Sequence, residues 1–157
     1  MNAVWGYLCI LGMVMGSITA AQETLVNRAV YTFQNKGDFG FLTSIGKAKF
    51  ADSDRWRDSP TQKWRVVKGY LGSSYMLKPT SDENISVFVD GNMVGVEHSG
   101  FALSSSQYWT VWQADQGFYI IRNSQTDECL ESPGLGKRVI TSRCRNIREQ
   151  QWAMHRR

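Results

Sequence analysis

Three acids, Asp52, Asp54 and Asp58, crowd one short stretch of the chain together with Arg55 and Arg57. Two carboxyls facing each other at about 5–10 Å could cleave a glycosidic bond, and several carboxylate oxygens could hold a cation. The spacing fits no calcium loop, however, and loop acids interleaved with arginines read more simply as a solvated ion-pair patch. Only two histidines exist, His98 and His155. No nucleophile elbow, phosphate-cradling glycine loop or His/Cys zinc spacing accompanies them. The chain therefore reads as non-catalytic, with no metal site and no cofactor, and what remains to it is recognition.

Charge and cysteines narrow the kind of recognition. Residues 137–157 carry seven basic side chains against one acid, Glu149, within a total net charge of +4. Such an end could attract acidic glycans, lipid headgroups, an acidic protein or nucleic acid. No aromatic-interleaved nucleic-acid motif accompanies it, so it reads first as a solvated rim that keeps a Trp-rich domain soluble, and nucleic acid is not expected as a partner. At the other end, Met1–Ala21 holds no charged side chain, and Val4–Met15 is almost wholly apolar. That run is too short to span a hydrocarbon core of about 30 Å. It fits a signal peptide over residues 1–21, cleaved after Ala20 or Ala21, and so a secreted domain over 22–157 with no stable membrane insertion. Cys9 would leave with the leader. In an exported chain the remaining Cys129 and Cys144, 15 residues apart, are expected to be bonded, and two cysteines have one pairing.

Whatever these residues do, an architecture must place them, and a repeat supplies it. A Gln-x-Trp triplet occurs three times, at Gln62–Trp64, Gln107–Trp109 and Gln150–Trp152, with the tryptophans 45 and 43 residues apart. An apolar residue follows two places after each, at Val66, Val111 and Met154, which is the alternation of a strand with one buried face. Tyr31, Tyr75 and Tyr119, spaced by 44 and 44, open further alternating runs. A third series, Trp56, Phe101 and Cys144, lies eight residues before each motif Trp. Trp56 also lies 15 residues beyond Phe41, the separation of the two cysteines. Two stacked rings could thus hold the first repeat where a disulfide holds the last, which makes Trp56 structural. In the middle repeat Phe101 faces Val87 or Ser86.

Turn signals such as Asn35-Lys36-Gly37-Asp38, Asp90-Gly91-Asn92 and Ser132-Pro133-Gly134 separate the runs, and no stretch sustains capped helical spacing. The units run over about 25–67, 68–112 and 113–157. A unit near this length also suits a propeller blade, but three blades do not close the usual propeller of about 4–8. Three units of four strands close as a β-trefoil, so the expected fold is all-β.

At its Gln-x-Trp triplets the sequence resembles the ricin B-chain type of β-trefoil lectin. The final repeat carries the closest match: Ile121-Arg122-Asn123, then Asp127 through Glu131, Val139, Cys144 and Gln150-Gln151-Trp152. The resemblance implies twelve short strands, with Trp64, Trp109 and Trp152 packed about a pseudo-threefold axis and their Gln neighbours as hydrogen-bonding structural groups. It also implies where sugar would sit. An Asp two residues after the first Cys accepts sugar hydroxyls, an aromatic two before the second Cys stacks on the ring, and an Asn precedes the motif Gln. The third repeat holds Glu131, Ser142 and Glu149 in those places. The second holds roughly Val89, Ser99 and Ser106, and the first Thr43, Asp54 and Thr61. No repeat keeps the stacking ring.

Asp90 and Asn92 are further candidates, on a loop one residue past the expected place. They match only if a bulge intervenes, and otherwise belong to an Asp-Gly hairpin turn. Tyr108, Trp112 and Phe118 lie outside the core series and could form a contact patch, although burial is the ordinary fate of such residues. Asn84-Ile85-Ser86 is a glycosylation sequon, meaningful in a eukaryotic source. The expected partner is a glycan or a glycoprotein receptor. The alternative is a partner protein chain: a trefoil without the usual sugar residues is similar to the binding subunits of cytolethal distending toxins.

Overall fold

Alternation starting at the first two motif tryptophans does what period-two patterning requires, while in the third Met154 packs partly buried against the core. Trp64 and Val66 are fully buried, while Arg65 and Val67 lie half-exposed between and beyond them. The structure, a computed structural model, describes residues 24–70, 72–99 and 104–157. Among these residues the chain forms twelve short strands. The first four are β1 (Val30–Asn35), β2 (Phe41–Ser44), β3 (Lys49–Asp54) and β4 (Trp64–Lys68). The next four are β5 (Tyr75–Pro79), β6 (Ile85–Asp90), β7 (Met93–His98) and β8 (Trp109–Asp115). The last four are β9 (Phe118–Asn123), β10 (Cys129–Glu131), β11 (Ile140–Ser142) and β12 (Trp152–Arg156).

The outer strands of each group close into a ring. Antiparallel pairing runs from β1 to β4, β5, β8, β9 and β12, and back to β1. Closure leaves this six-stranded barrel without a free edge. The inner strands form the hairpins β2–β3, β6–β7 and β10–β11. These meet one another through Phe50 opposite Gly95, Met93 opposite Ile140, and a bridge between Asp52 and Arg138. Glycine is needed at the first of these junctions: a Cβ on Gly95 would lie 2.9 Å from the Phe88 ring and 3.1 Å from the Lys49 carbonyl oxygen. This is the all-β trefoil that the repeat predicts.

Three equivalent sets of hydrogen bonds carry the repeat into the core. Trp64, Trp109 and Trp152 are fully buried. Each indole N–H donates to a carbonyl 22 residues upstream: Leu42 at 2.9 Å, Val87 at 3.1 Å and Leu130 at 3.0 Å. A buried indole N–H without such a partner would cost about 1–3 kcal/mol. The amides of Lys36, Thr80 and Ser124 donate at 2.9, 2.8 and 2.8 Å to the carbonyls of Gln151, Lys63 and Tyr108, the residues just before each motif tryptophan. Around this frame pack Tyr31, Phe33, Leu42, Tyr75, Leu77, Val87, Ile121 and Leu130.

The middle repeat departs from the others in length. Gln62 and Gln150 each donate to a carbonyl seven residues back, Arg55 at 2.7 Å and Arg143 at 3.0 Å. Gln107 reaches nine residues back, to His98 at 2.8 Å. Two residues are thus inserted before Gln107. In the hairpins Phe41 faces Asp54, Ser86 faces Glu97, and Cys129 faces Ser142. Ser86, not Val87, is therefore the counterpart of Cys129, and Ser99 stands where the first and third repeats place Trp56 and Cys144. Counting eight residues back from Trp109 stops two residues short of Ser99 because of the insertion, and Phe101 itself lies outside the described residues. So does the leader read over residues 1–21. Among the described residues no helix is long and apolar enough to cross a membrane.

Candidate functional site

The third repeat builds its hairpin from three strand pairs, Cys129–Ser142, Leu130–Thr141 and Glu131–Ile140. Cys129 is bonded to Cys144, with Cα atoms 4.9 Å apart. The bond ties the start of β10 to the loop that follows β11, and that loop is also clamped by the motif glutamine. Gln150 accepts from the Arg145 amide at 2.6 Å and donates to the Arg143 carbonyl at 3.0 Å. It donates as well to Ser142 Oγ at 2.7 Å and to Glu131 Oε2 at 2.9 Å.

Glu131 is the chemically distinctive group here. Its partly buried carboxylate receives three donors on one oxygen, Oε2: the Ser142 hydroxyl, Gln150 Nε2 and Arg145 Nη2 at 3.3 Å. Burial pushes the carboxyl pKa upward, but the hydrogen bonds from Ser142 and Gln150 and the charge and hydrogen bond of Arg145 outweigh it, holding the pKa below its ordinary 4.5. The carboxylate is thus ionised at neutral pH and fixed in orientation. Oε1 takes none of these three donors. Such a group can accept hydrogen bonds from hydroxyls without first being ordered.

The other sequence candidates do not join this cluster. Glu149 lies in a 3-10 turn, Arg148–Gln150, with its side chain exposed. Its carbonyl accepts from Asn35 Nδ2 at 2.8 Å and from the Ser132 amide at 2.9 Å, but no described contact links its carboxylate to Glu131. Asp90 and Asn92 flank Gly91, whose φ of 61° makes the tight hairpin turn. The register runs without a bulge from Ile85–His98 to Asp90–Met93. The bulge that an acceptor role required is absent, and Asp90 lies two residues past Phe88, the true counterpart of Glu131. In the first repeat that counterpart is Thr43. Its hydroxyl donates to the Phe41 carbonyl at 2.8 Å and accepts from Gln62 at 3.1 Å, so it is already engaged.

Two residues of the cluster carried little signal in the sequence. Ser142 was notable only for lacking the ring expected there, yet it donates to Glu131. Arg145 was one of seven basic residues near the end. Its place beside Cys144, in a loop that the disulfide ties to β10, was the signal that could have singled it out.

The aromatic and acidic readings divide in the same way. Trp56 packs on Phe41 with ring centroids 4.8 Å apart and planes tilted by 45°, as expected of a substitute for the bridge. It is nonetheless 38% exposed. Tyr108, Trp112 and Phe118 are half-buried rather than a bare patch, with Arg122 over Trp112 at 5.6 Å and Lys36 over Phe118 at 4.5 Å. Asp52 and Asp54 lie on β3, not in a loop. Asp54 pairs with Arg57 at 2.9 Å and Asp58 with Lys63 at 2.8 Å. Asp52 instead buries one oxygen, Oδ1, that has no hydrogen-bond partner. Among the described residues no group of three or more His, Cys, Asp and Glu could hold a metal ion.

Neither a family model nor a curated protein sequence matches the chain. Solved structures do match it in fold. The designed threefold-symmetric protein ThreeFoil superposes with a TM-score of 0.69 at 15% identity, over 80% of this chain and 96% of its own. The ricin B-like lectin of Macrolepiota procera, solved with lactose, gives 0.70 at 16% identity, over 86% of this chain and 100% of its own. The Haemophilus ducreyi cytolethal distending toxin gives 0.67 at 15% identity, over 85% of this chain and 87% of the matched one. Likeness at this level of identity is likeness of fold.

Proposed function

We propose that the chain is an exported recognition module that binds carbohydrate, free or carried on a glycoprotein receptor, through the third-repeat hairpin. The observation that carries this reading is the Glu131 carboxylate, ionised and fixed by three donors on Oε2 while Oε1 takes none of them. A fixed anionic acceptor binds hydroxyl groups at little cost in ordering. The longer Glu replaces the Asp of the resembled lectins at the same step after Cys129. The shared fold supports the ligand class, since the Macrolepiota lectin was solved with lactose. The Cys129–Cys144 bond supports export.

A broad glycan array tests this, followed by calorimetry of the strongest ligand against Glu131→Gln. The expected loss is about tenfold or more, as for removing a charged hydrogen-bond acceptor. Silence on the array, or a variant that binds as tightly as the parent, overturns the reading. Export is checked by sequencing the secreted protein, which should begin at Ala21 or Gln22.

One observation favours a second reading, a docking subunit for a partner protein chain as in a multicomponent toxin. Phe39 is held at φ 60° and is 65% exposed, and Leu135 nearby is 41% exposed. The same turn in the third repeat places Asp127, at φ 57°, in the equivalent position. An aromatic in left-handed backbone costs about 1–3 kcal/mol, and here burial does not offset it. Phe39→Asp should preserve the turn and glycan binding. It should abolish co-purification with a co-expressed partner chain if this reading holds.

A further inference from the structure

We infer that the loop around Trp56 is a second ligand site, separate from Glu131, that takes an acidic saccharide: a sugar bearing a carboxylate or a sulfate. The loop is preordered by the motif glutamine of the first repeat. Gln62 donates to the Arg55 carbonyl at 2.7 Å and accepts from the Arg57 amide at 2.8 Å. The third repeat uses the same clamp around Cys144, on the carbonyl of Arg143 and the amide of Arg145. There the enclosed residue is consumed by the disulfide. In the first repeat it is an indole that packs on Phe41 yet keeps 38% of its surface exposed. The exchange of cystine for tryptophan holds the loop and also leaves an aromatic surface on which a pyranose can rest.

Charge decides which saccharide. Arg55, Arg57, Lys63 and Arg157 lie in or against this loop, with two carboxylates, Asp54 and Asp58. Both acids are engaged, Asp54 by Arg57 and Asp58 by Lys63. Arg55 and Arg157 form no ion pair among the described residues, and the Arg157 guanidinium lies over the Trp56 ring at 5.0 Å. The guanidinium seated over the indole, with the neighbouring carboxylate of Asp58 already paired with Lys63, keeps forked donors for an anionic oxygen group. A neutral sugar would stack on the same ring without using that charge.

The inference shares only its ligand class with the reading of Glu131, and one set of titrations separates them. Lactose, sialyllactose and a heparin-derived tetrasaccharide are titrated into the wild type and into Trp56→Leu, Arg157→Gln, Arg55→Gln and Glu131→Gln. At least one acidic saccharide should bind the wild type more tightly than lactose and weaken steeply with salt. Trp56→Leu and Arg157→Gln should each weaken it about tenfold, while Arg157→Gln leaves lactose affinity unchanged. The sialylated and sulfated arms identify which anionic group is preferred. The site is overturned if neither acidic saccharide outbinds lactose, or if Arg157→Gln and Arg55→Gln, which remove no packed ring, both bind as the wild type does. Loss of lactose binding in Glu131→Gln alone bears on the other site only.

Discussion

Gln150 donates its side-chain amide to the Glu131 carboxylate at 2.9 Å, so the residue that clamps the third-repeat loop also orients the candidate acceptor. Structure and recognition are thereby joined in one side chain. Gln150→Ala should lose both, with about 1–3 kcal/mol of stability in urea unfolding and a matching fall in glycan affinity. Gln107→Ala, whose clamp reaches Ser86 and His98 rather than a carboxylate, should cost stability and leave affinity unchanged.

The direction of the Glu131 shift fixes its pH dependence. A carboxyl with a lowered folded pKa contributes stability above its unfolded value and loses it as pH falls through the folded one. Thermal stability and neutral-glycan affinity should therefore stay level from pH 7 to about 5 with respect to this group, then fall below its ordinary 4.5. Glu131→Gln should remove that component of the acid loss.

Asp52 behaves in the opposite sense. Burial raises its pKa, Arg138 opposes the rise, and Asp54 adds to it. A raised pKa stabilises below the unfolded value of 3.8 and loses that contribution as pH climbs through the folded one. Measured by melting temperature, Asp52→Asn should gain on the wild type as pH rises from 3 to 7. A gap that shrinks over that range would show that Arg138 outweighs burial.

Removing the disulfide should expose how unequally the repeats are held. A cross-link closing a loop of about 15 residues contributes about 3 kcal/mol, against about 0.5–1.5 kcal/mol for an aromatic pair beyond its buried area. Cys129→Ala with Cys144→Ala should lower the melting temperature more than Phe41→Leu, and hydrogen exchange should quicken first in the loop around residues 143–146.

The fold was legible because the motif tryptophans and the tyrosines recur at one period, and each tyrosine pairs with a motif tryptophan across neighbouring strands. Trp64, Trp109 and Trp152 could be counted from the sequence because each must reach a buried carbonyl 22 residues back. The middle repeat escaped the count because an insertion before Gln107 changes spacing without disturbing the strands that flank it. Glu131 was legible by its step from Cys129. Its donors were not, because Arg145 and Ser142 reach it across a hairpin whose register is set by pairing rather than by sequence order. Trp56 was read as packing alone: a contact with Phe41 follows from spacing, but the indole surface left over does not.

Backbone amide NMR during titration with the best neutral glycan tests the central claim most directly. Shifts concentrated at Glu131, Ser142, Arg145 and Gln150, and absent in Glu131→Gln, are the predicted result. Shifts centred on Phe39 and Leu135, or none at saturating glycan, would contradict it.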